Sequence, residues 1–170
     1  MALDDQRIKV VLADGRQFLA QSQEEFDLII IDAYSNQYYI PFELVTREFY
    51  LLAKKHLRAG GLLALNVNAT SESSRLFNAI GNTLKDVFPE VKYVHLPKSY
   101  NYLVMAGEKI DLSRLSSISS GPEELRGDAL AVARRTVDYR SREGKILTDD
   151  RAPVEFMTDS MYLSHYGIRS

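Results

Sequence analysis

The chain has 170 residues, enough for one domain and too few for two of ordinary size. With 45% hydrophobic residues, 26% charged residues and a net charge of -2, it reads as globular, without the electrostatic footprint that nucleic acid or an anionic membrane would need. The lack of cysteine excludes disulfides and thiolate metal sites.

Residues 8–13 (Ile-Lys-Val-Val-Leu-Ala) read as a short strand ending at Asp14-Gly15, with a short helix over 16–21. Residues 26–31 (Phe-Asp-Leu-Ile-Ile-Ile) end abruptly in Asp32. A run apolar on both faces has the pattern of a central strand in a parallel sheet. A loop over 35–43 carries Tyr38, Tyr39 and Pro41. Thr46 caps a helix to about His56, which Gly60-Gly61 stops, and 62–67 form another buried strand. Residues 73–88 form an amphipathic helix, and 91–96 and 102–106 an antiparallel edge pair of strands. The serine-rich stretch 113–121 is a connector. Ser120 and Glu123 make a capping box for a helix to about Arg135. Residues 147–155 form a polar loop, and 161–166 a short aromatic turn or helix.

The order β-α-β-α-β-α-β-β-α predicts an α/β fold with an open, doubly wound, mostly parallel sheet. Right-handed crossovers bring the three parallel strand ends to one edge, where Asp14, Asp32 and Asn66 converge. Ligands of such sheets sit beyond the carboxyl ends of the strands, so Asp32 is a candidate for chemistry. It is equally placed to cap the following turn. Asp14 is a ligand contact or a helix cap, and the two roles are compatible. Tyr34, Tyr38 and Tyr39 form an aromatic lid or pack onto the core, the second being favoured for Tyr38 and Tyr39. Asp149, Asp150 and Glu155 are a local acidic cluster, solvated by default. His56, His95 and His165 show no ligand spacing, so no metal site is expected.

The segments 11–16 (Val-Leu-Ala-Asp-Gly-Arg), 26–32 (Phe-Asp-Leu-Ile-Ile-Ile-Asp), 40–49 (Ile-Pro-Phe-Glu-Leu-Val-Thr-Arg-Glu-Phe) and 57–64 (Leu-Arg-Ala-Gly-Gly-Leu-Leu-Ala), taken in order, resemble the second half of a spermidine synthase. Residues 147–155 (Leu-Thr-Asp-Asp-Arg-Ala-Pro-Val-Glu) resemble the spermidine-synthase-like proteins, some of which carry membrane segments. The resemblance implies a methyltransferase-type Rossmann-like fold and transfer of an aminopropyl group from decarboxylated S-adenosylmethionine to an amine. It makes Asp32 the catalytic base. It places Asp14 at the adenine, with Gly15, Ala33 and Tyr34 as further nucleoside contacts. For the amine it implies Tyr100, with Ser35, Asp149 and Asp150 as further candidates. Standard members carry a second Asp where this chain has Ser35. The family's Gly-rich turn and the acid that holds the ribose have no counterpart here, which implies a C-terminal half that is inactive by itself. An S-adenosylmethionine-dependent small-molecule methyltransferase and a non-catalytic module are the rival readings.

Residues 1–110 are expected to form a partial Rossmann-like domain and 111–170 a helix and polar-loop extension of it. Without strands one and two of the family fold, the apolar strand at 26–31 would lie open. The expectation is that the strand at 8–13 closes on it, that the chain oligomerises through it, or that an upstream chain covers it. The expected partners are a small nucleoside and an amine, not nucleic acid. With neither a membrane-length apolar run nor a signal-peptide pattern at the N-terminus, the expected location is cytoplasmic.

Overall fold

The structure is a computed structural model that describes residues 6–36, 38–113, 115 and 122–167. Its elements in chain order are α1 (Gly15–Gln21), β1 (Phe26–Ile31), α2 (Arg47–Lys55), β2 (Leu57–Asn68), α3 (Arg75–Val87), β3 (Glu90–His95), β4 (Asn101–Gly107), α4 (Glu123–Arg135), β5 (Val137–Asp138) and α5 (Val154–His165). A single 3-10 turn, Phe42–Leu44, precedes α2. The five strands form one sheet in the order β1-β2-β4-β3-β5.

β1 and β2 are parallel, joined by a crossover through α2. β4 is antiparallel to both β2 and β3, so β1, β2 and β3 run in one direction and β4 in the other. This is the expected α/β architecture with a mixed sheet. The pair β3–β4 is not the sheet edge: β4 inserts between β2 and β3, and the two-residue β5 adds to the far side of β3. The insertion follows from the tight connection after His95, which returns the chain beside β3, with Lys98 at positive φ (58°) in the turn.

Helix starts follow side-chain chemistry. Thr46 accepts from the Phe49 N–H, Ser74 from the Phe77 N–H and Asp14 from the Gln17 N–H, each satisfying an otherwise unpaired donor of the first turn. α3 packs against β3 and β4, with α2 on one side and α5 on the other. Its Phe77 is the centre of an aromatic cluster, with ring centroids 5.1 Å from Tyr93, 4.8 Å from Tyr102 and 6.1 Å from Tyr139. Leu63, Leu65, Ile80, Leu84 and Val104 complete this fully buried centre.

Three further expectations are corrected. Residues 8–13 form no strand and pair with nothing in the sheet; Val10 is 66% exposed and Leu12 fully exposed. An apolar segment without a ladder partner has no means of satisfying its backbone as a strand. β1 therefore has a neighbour on one side only among the described residues. Gly60-Gly61 do not stop α2, which already ends at Lys55. They lie inside β2, where the register to β1 jumps between Phe26↔Leu57 and Leu28↔Leu62. Gly60 has φ +80°, and a Cβ on Gly61 would stand 3.0 Å from the Phe26 carbonyl oxygen, so the bulge needs both glycines. Finally, the C-terminal helix starts at Val154 rather than near Met161, because Pro153 in the cap position opens it. The capping box expected at Ser120 and most of the serine-rich connector lie outside the described residues.

Candidate functional site at the end of the parallel strand pair

The register Ile31↔Leu65 sets Asp32 and Asn66 side by side where β1 leaves the sheet. The Asn66 Nδ2 donates to Asp32 Oδ1 at 2.9 Å, and among the described residues Asn66 is the one hydrogen-bond partner of this exposed carboxylate. The other Asn66 amide atom, Oδ1, is buried without a partner. One oxygen of Asp32 is thus oriented and the other remains open to a ligand.

Beyond Ile31 the backbone no longer pairs with β2, and a side chain replaces it. The Tyr34 hydroxyl donates to the Asn66 carbonyl at 2.6 Å and accepts from the Asn68 N–H at 2.9 Å. It satisfies the two β2 groups that would otherwise lose their ladder partner. Burial, with a smaller contribution from Asp32, pushes this phenol well above its ordinary range, so it stays protonated and able to donate. Asn68 Oδ1 in turn accepts from the Tyr162 hydroxyl of α5 at 2.9 Å.

A cleft of about 400 Å³ runs along the open edge of β1, lined by Leu28, Ile30, Asp32, Ala33, Gly15 and Phe18 among others. Of the residues singled out from the sequence, Gly15, Asp32 and Ala33 meet in this cleft. Asp14 adjoins it, as the cap of α1, and Tyr34 stands behind it in the network with β2. The cleft is apolar along its length and carries a carboxylate at one end.

The proposed amine-binding residues do not line that cleft. The Ser35 N–H donates to the Tyr39 carbonyl at 2.8 Å, closing a small turn. Tyr100 sits just before β4, its carbonyl accepting from the Ala69 N–H at 2.8 Å and its hydroxyl 3.0 Å from His165 Nε2. Asp149 is held by Arg16 through both carboxylate oxygens, at 2.8 and 2.6 Å, and accepts from the Thr46 hydroxyl at 2.7 Å. The Arg16 guanidinium lowers its pKa. Its charge is matched by a cation of the chain itself, and it fastens the loop before α5 to α1 and α2. Asp150 beside it is exposed.

Tyr38 and Tyr39, expected to pack onto the core, reach α5 instead: Tyr38, 53% exposed, meets Tyr162 edge-on at 5.7 Å and the Tyr39 hydroxyl donates to Asp159 at 2.7 Å. Sequence reasoning missed Asp159 and Tyr162. A signal was present: Glu155, Asp159, Tyr162 and Tyr166 recur at helical spacing and lie on one face of α5. Among the described residues no group of acidic or histidine side chains is arranged to hold a metal, and no helix is long and apolar enough to cross a membrane.

Comparison with known proteins bears on this geometry. The Spermine/spermidine synthase domain family matches residues 1–107. A probable polyamine aminopropyl transferase of Bifidobacterium longum is 30% identical over 170 aligned residues, covering 88% of this chain and 38% of the relative. Among solved structures, a spermidine synthase in complex with the transition-state analogue AdoDATO superposes with a TM-score of 0.59 at 22% identity, covering 76% of this chain and 49% of that one. Human methyltransferase-like protein 13 in complex with SAH gives 0.53 at 18% identity, covering 81% and 64%. These likenesses establish a methyltransferase-like fold. The chain spans about two fifths of the length of the curated relatives it matches first, 38% and 40%.

Proposed function

Because this chain belongs to the spermine/spermidine synthase domain family, we propose that the protein transfers an aminopropyl group from decarboxylated S-adenosylmethionine to an amine. The observation that carries this reading is Asp32: an exposed carboxylate at the end of β1, oriented through one oxygen by Asn66, at the polar end of the apolar cleft.

The reaction is a displacement. The lone pair of the amine attacks the carbon next to the sulfonium, the carbon–sulfur bond breaks, and its electron pair returns to sulfur as the neutral thioether of methylthioadenosine. The attacking nitrogen must lose a proton, and Asp32 takes it. A carboxylate also holds the cationic amine by charge-assisted hydrogen bonds before transfer. Thioether departure needs no acid. Asn66 fixes the carboxylate, and Gly15 and Ala33, without bulky side chains, leave room for the nucleoside, with Asp14 directed at its adenine. Tyr34 positions the strand end. Ser35, Tyr100 and the exposed Asp150 belong to the amine side of the proposal. Asp149, paired with Arg16, acts there as a clamp.

The family match ending at residue 107 supports taking 1–110 as the partial methyltransferase-type domain and 111–170 as its extension. A cytoplasmic setting and association through the β1 edge belong to the same proposal. The likeness to a spermidine synthase holding AdoDATO favours a decarboxylated donor; the likeness to a methyltransferase holding SAH keeps ordinary S-adenosylmethionine as the rival.

Calorimetric titration separates them. The purified chain should bind methylthioadenosine saturably and S-adenosylhomocysteine more weakly. Asp14→Asn, which retains a capping side chain, should weaken methylthioadenosine by about tenfold, the order expected for loss of a charge-assisted hydrogen bond. Preference for S-adenosylhomocysteine would overturn the aminopropyl reading in favour of methyl transfer. Binding of neither would leave the nucleoside assignment of the cleft without support.

A further inference from the structure

β1 ends at Ile31, and the segment Asp32-Ala33-Tyr34 that follows is attached to Asn66 at both ends. At one end the Asn66 Nδ2 donates to Asp32 Oδ1 at 2.9 Å; at the other the Tyr34 hydroxyl donates to the Asn66 carbonyl at 2.6 Å. The reverse orientation of the Asn66 amide would set its oxygen against the carboxylate. Electrostatics therefore keeps the donor on Asp32, although Asn66 Oδ1 is then buried without a partner. The hydrogen bonds continue away from the site. The Asn68 N–H donates to the Tyr34 hydroxyl at 2.9 Å, and the Tyr162 hydroxyl of α5 donates to Asn68 Oδ1 at 2.9 Å. From Tyr162 to Asp32 every bond donates in the same sense, and the last acceptor is the carboxylate.

α5 itself lies beyond residue 107, where the match to the family domain ends. It is docked across the strand ends by contacts outside this series. Asp159 accepts from the Tyr39 hydroxyl at 2.7 Å, Met161 Sδ accepts from the Thr70 N–H at 3.3 Å, and His165 Nε2 lies 3.0 Å from the Tyr100 hydroxyl.

We propose that Tyr162 is a positioning residue for Asp32, acting through Asn68, Tyr34 and Asn66, so that the C-terminal helix is part of the catalytic apparatus. The proposal rests on the aminopropyl-transfer reading for what Asp32 does, and adds how the carboxylate is held for it.

A side-chain amide orients a carboxylate only as firmly as it is itself held, and Asp32 is exposed, so water competes for its oxygens. Tyr34 holds the Asn66 backbone, and its hydroxyl keeps its place only while its donor and its acceptor on β2 keep theirs. Asn68 is the last residue of β2, and local opening begins at such ends. Tyr162 anchors the Asn68 side chain from a helix that has docking contacts of its own. Burial raises the Tyr34 and Tyr162 phenols above their ordinary range, so both hydroxyls remain donors through neutral pH. Hydrogen bonds linked in one sense polarise one another, so loss of the first is felt at the last.

The test is nuclear magnetic resonance of the isotope-labelled chain, with two readouts: hydrogen exchange of the Asn68 backbone N–H and the side-chain amide signals of Asn66. Tyr162→Phe keeps the ring and its edge contact with Tyr38 and removes only the hydroxyl. It should speed exchange at Asn68 by about fivefold, the order of one lost hydrogen bond. It should also move the Asn66 amide signals in the direction in which Tyr34→Phe moves them. Tyr39→Phe is the control, because it removes a hydrogen bond of the same helix that lies outside the series. It should leave the Asn66 signals unmoved and exchange at Asn68 within about twofold of the unsubstituted chain. Circular dichroism should show Tyr162→Phe and Tyr39→Phe equally folded. Equal responses to these two substitutions would reduce Tyr162 to one docking contact among several and overturn the proposal, as would either readout indifferent to Tyr162→Phe. Neither readout involves a nucleoside, so methylthioadenosine binding judges the functional reading separately. Its failure in the unsubstituted chain would strike at the nucleoside assignment of the cleft and leave intact how Asp32 is held.

Discussion

The two flanks of the sheet both carry apolar strands and behave differently. On the β4–β3 flank, Phe77, Tyr93, Tyr102 and Tyr139 interlock beneath α3, and β5 extends the ladder beyond β3. On the β1 flank, Leu28 is 50% and Ile30 65% exposed, and the strand pairs on one side only among the described residues. The difference teaches that apolarity states what a strand is able to bury, while neighbours decide what it does bury. One flank holds the stability; the other holds the cleft that ends at Asp32.

The largest effect should come from breaking the closed flank. Phe77→Ala removes the ring around which the aromatic cluster is built and should cost about 3–5 kcal/mol in urea unfolding. A loss near 1 kcal/mol would mean that the cluster does not carry this flank. Gly81→Ala tests the same flank by overfilling, since a Cβ there would lie 2.3 Å from the Tyr139 ring. About 1–3 kcal/mol of destabilisation is expected, visible as a lowered Tm.

The clamp between the two flanks should show a smaller, pH-dependent effect. Hydrogen bonds from Arg16 lower the Asp149 pKa, so Asp149 contributes stability above the ordinary aspartate range and loses it as pH falls through its folded value. At neutral pH Asp149→Asn should cost about 1 kcal/mol, as expected for a bidentate but partly exposed pair. That difference from the unsubstituted chain should close below about pH 4. A difference constant with pH would assign the effect to shape rather than charge.

On the open flank, Ile30→Lys should change stability by no more than about 0.5 kcal/mol, because the side chain already faces solvent. Sedimentation should show less self-association at high concentration, since a charge on an unpaired edge opposes strand addition. A loss of several kcal/mol would mean that this edge is covered in solution and would collapse the contrast between the flanks.

Much of this was legible in the sequence. The caps at Asp14 and Thr46 belong to local chemistry, so the helices they start were readable, whereas Ser74, the cap of α3, was read as lying inside a helix over 73–88. The buried character of 62–67 and the position of Asp32 followed from apolar runs and their ends. Where pairing partners decide, the sequence was silent. Residues 8–13 have the composition of a strand but no ladder to join, and Gly60-Gly61 look like a helix stop while serving a strand bulge. The site divides in the same way. Asp32 and Asn66 are neighbours through register, which topology predicts. Asp159 and Tyr162 reach Tyr39 and Tyr38 of the 34–39 loop from more than a hundred residues away, through contacts that no local pattern encodes.

The most direct test is chemical-shift mapping of the isotope-labelled chain during titration with methylthioadenosine. The account predicts saturable shifts at Gly15, Asp32, Ala33 and Tyr34, with Gly81 and Tyr93 on the closed flank unmoved. Shifts confined to the groove between the start of α3 and α5, around Ser73, Arg75 and Ser160, with the end of β1 unchanged, would contradict it.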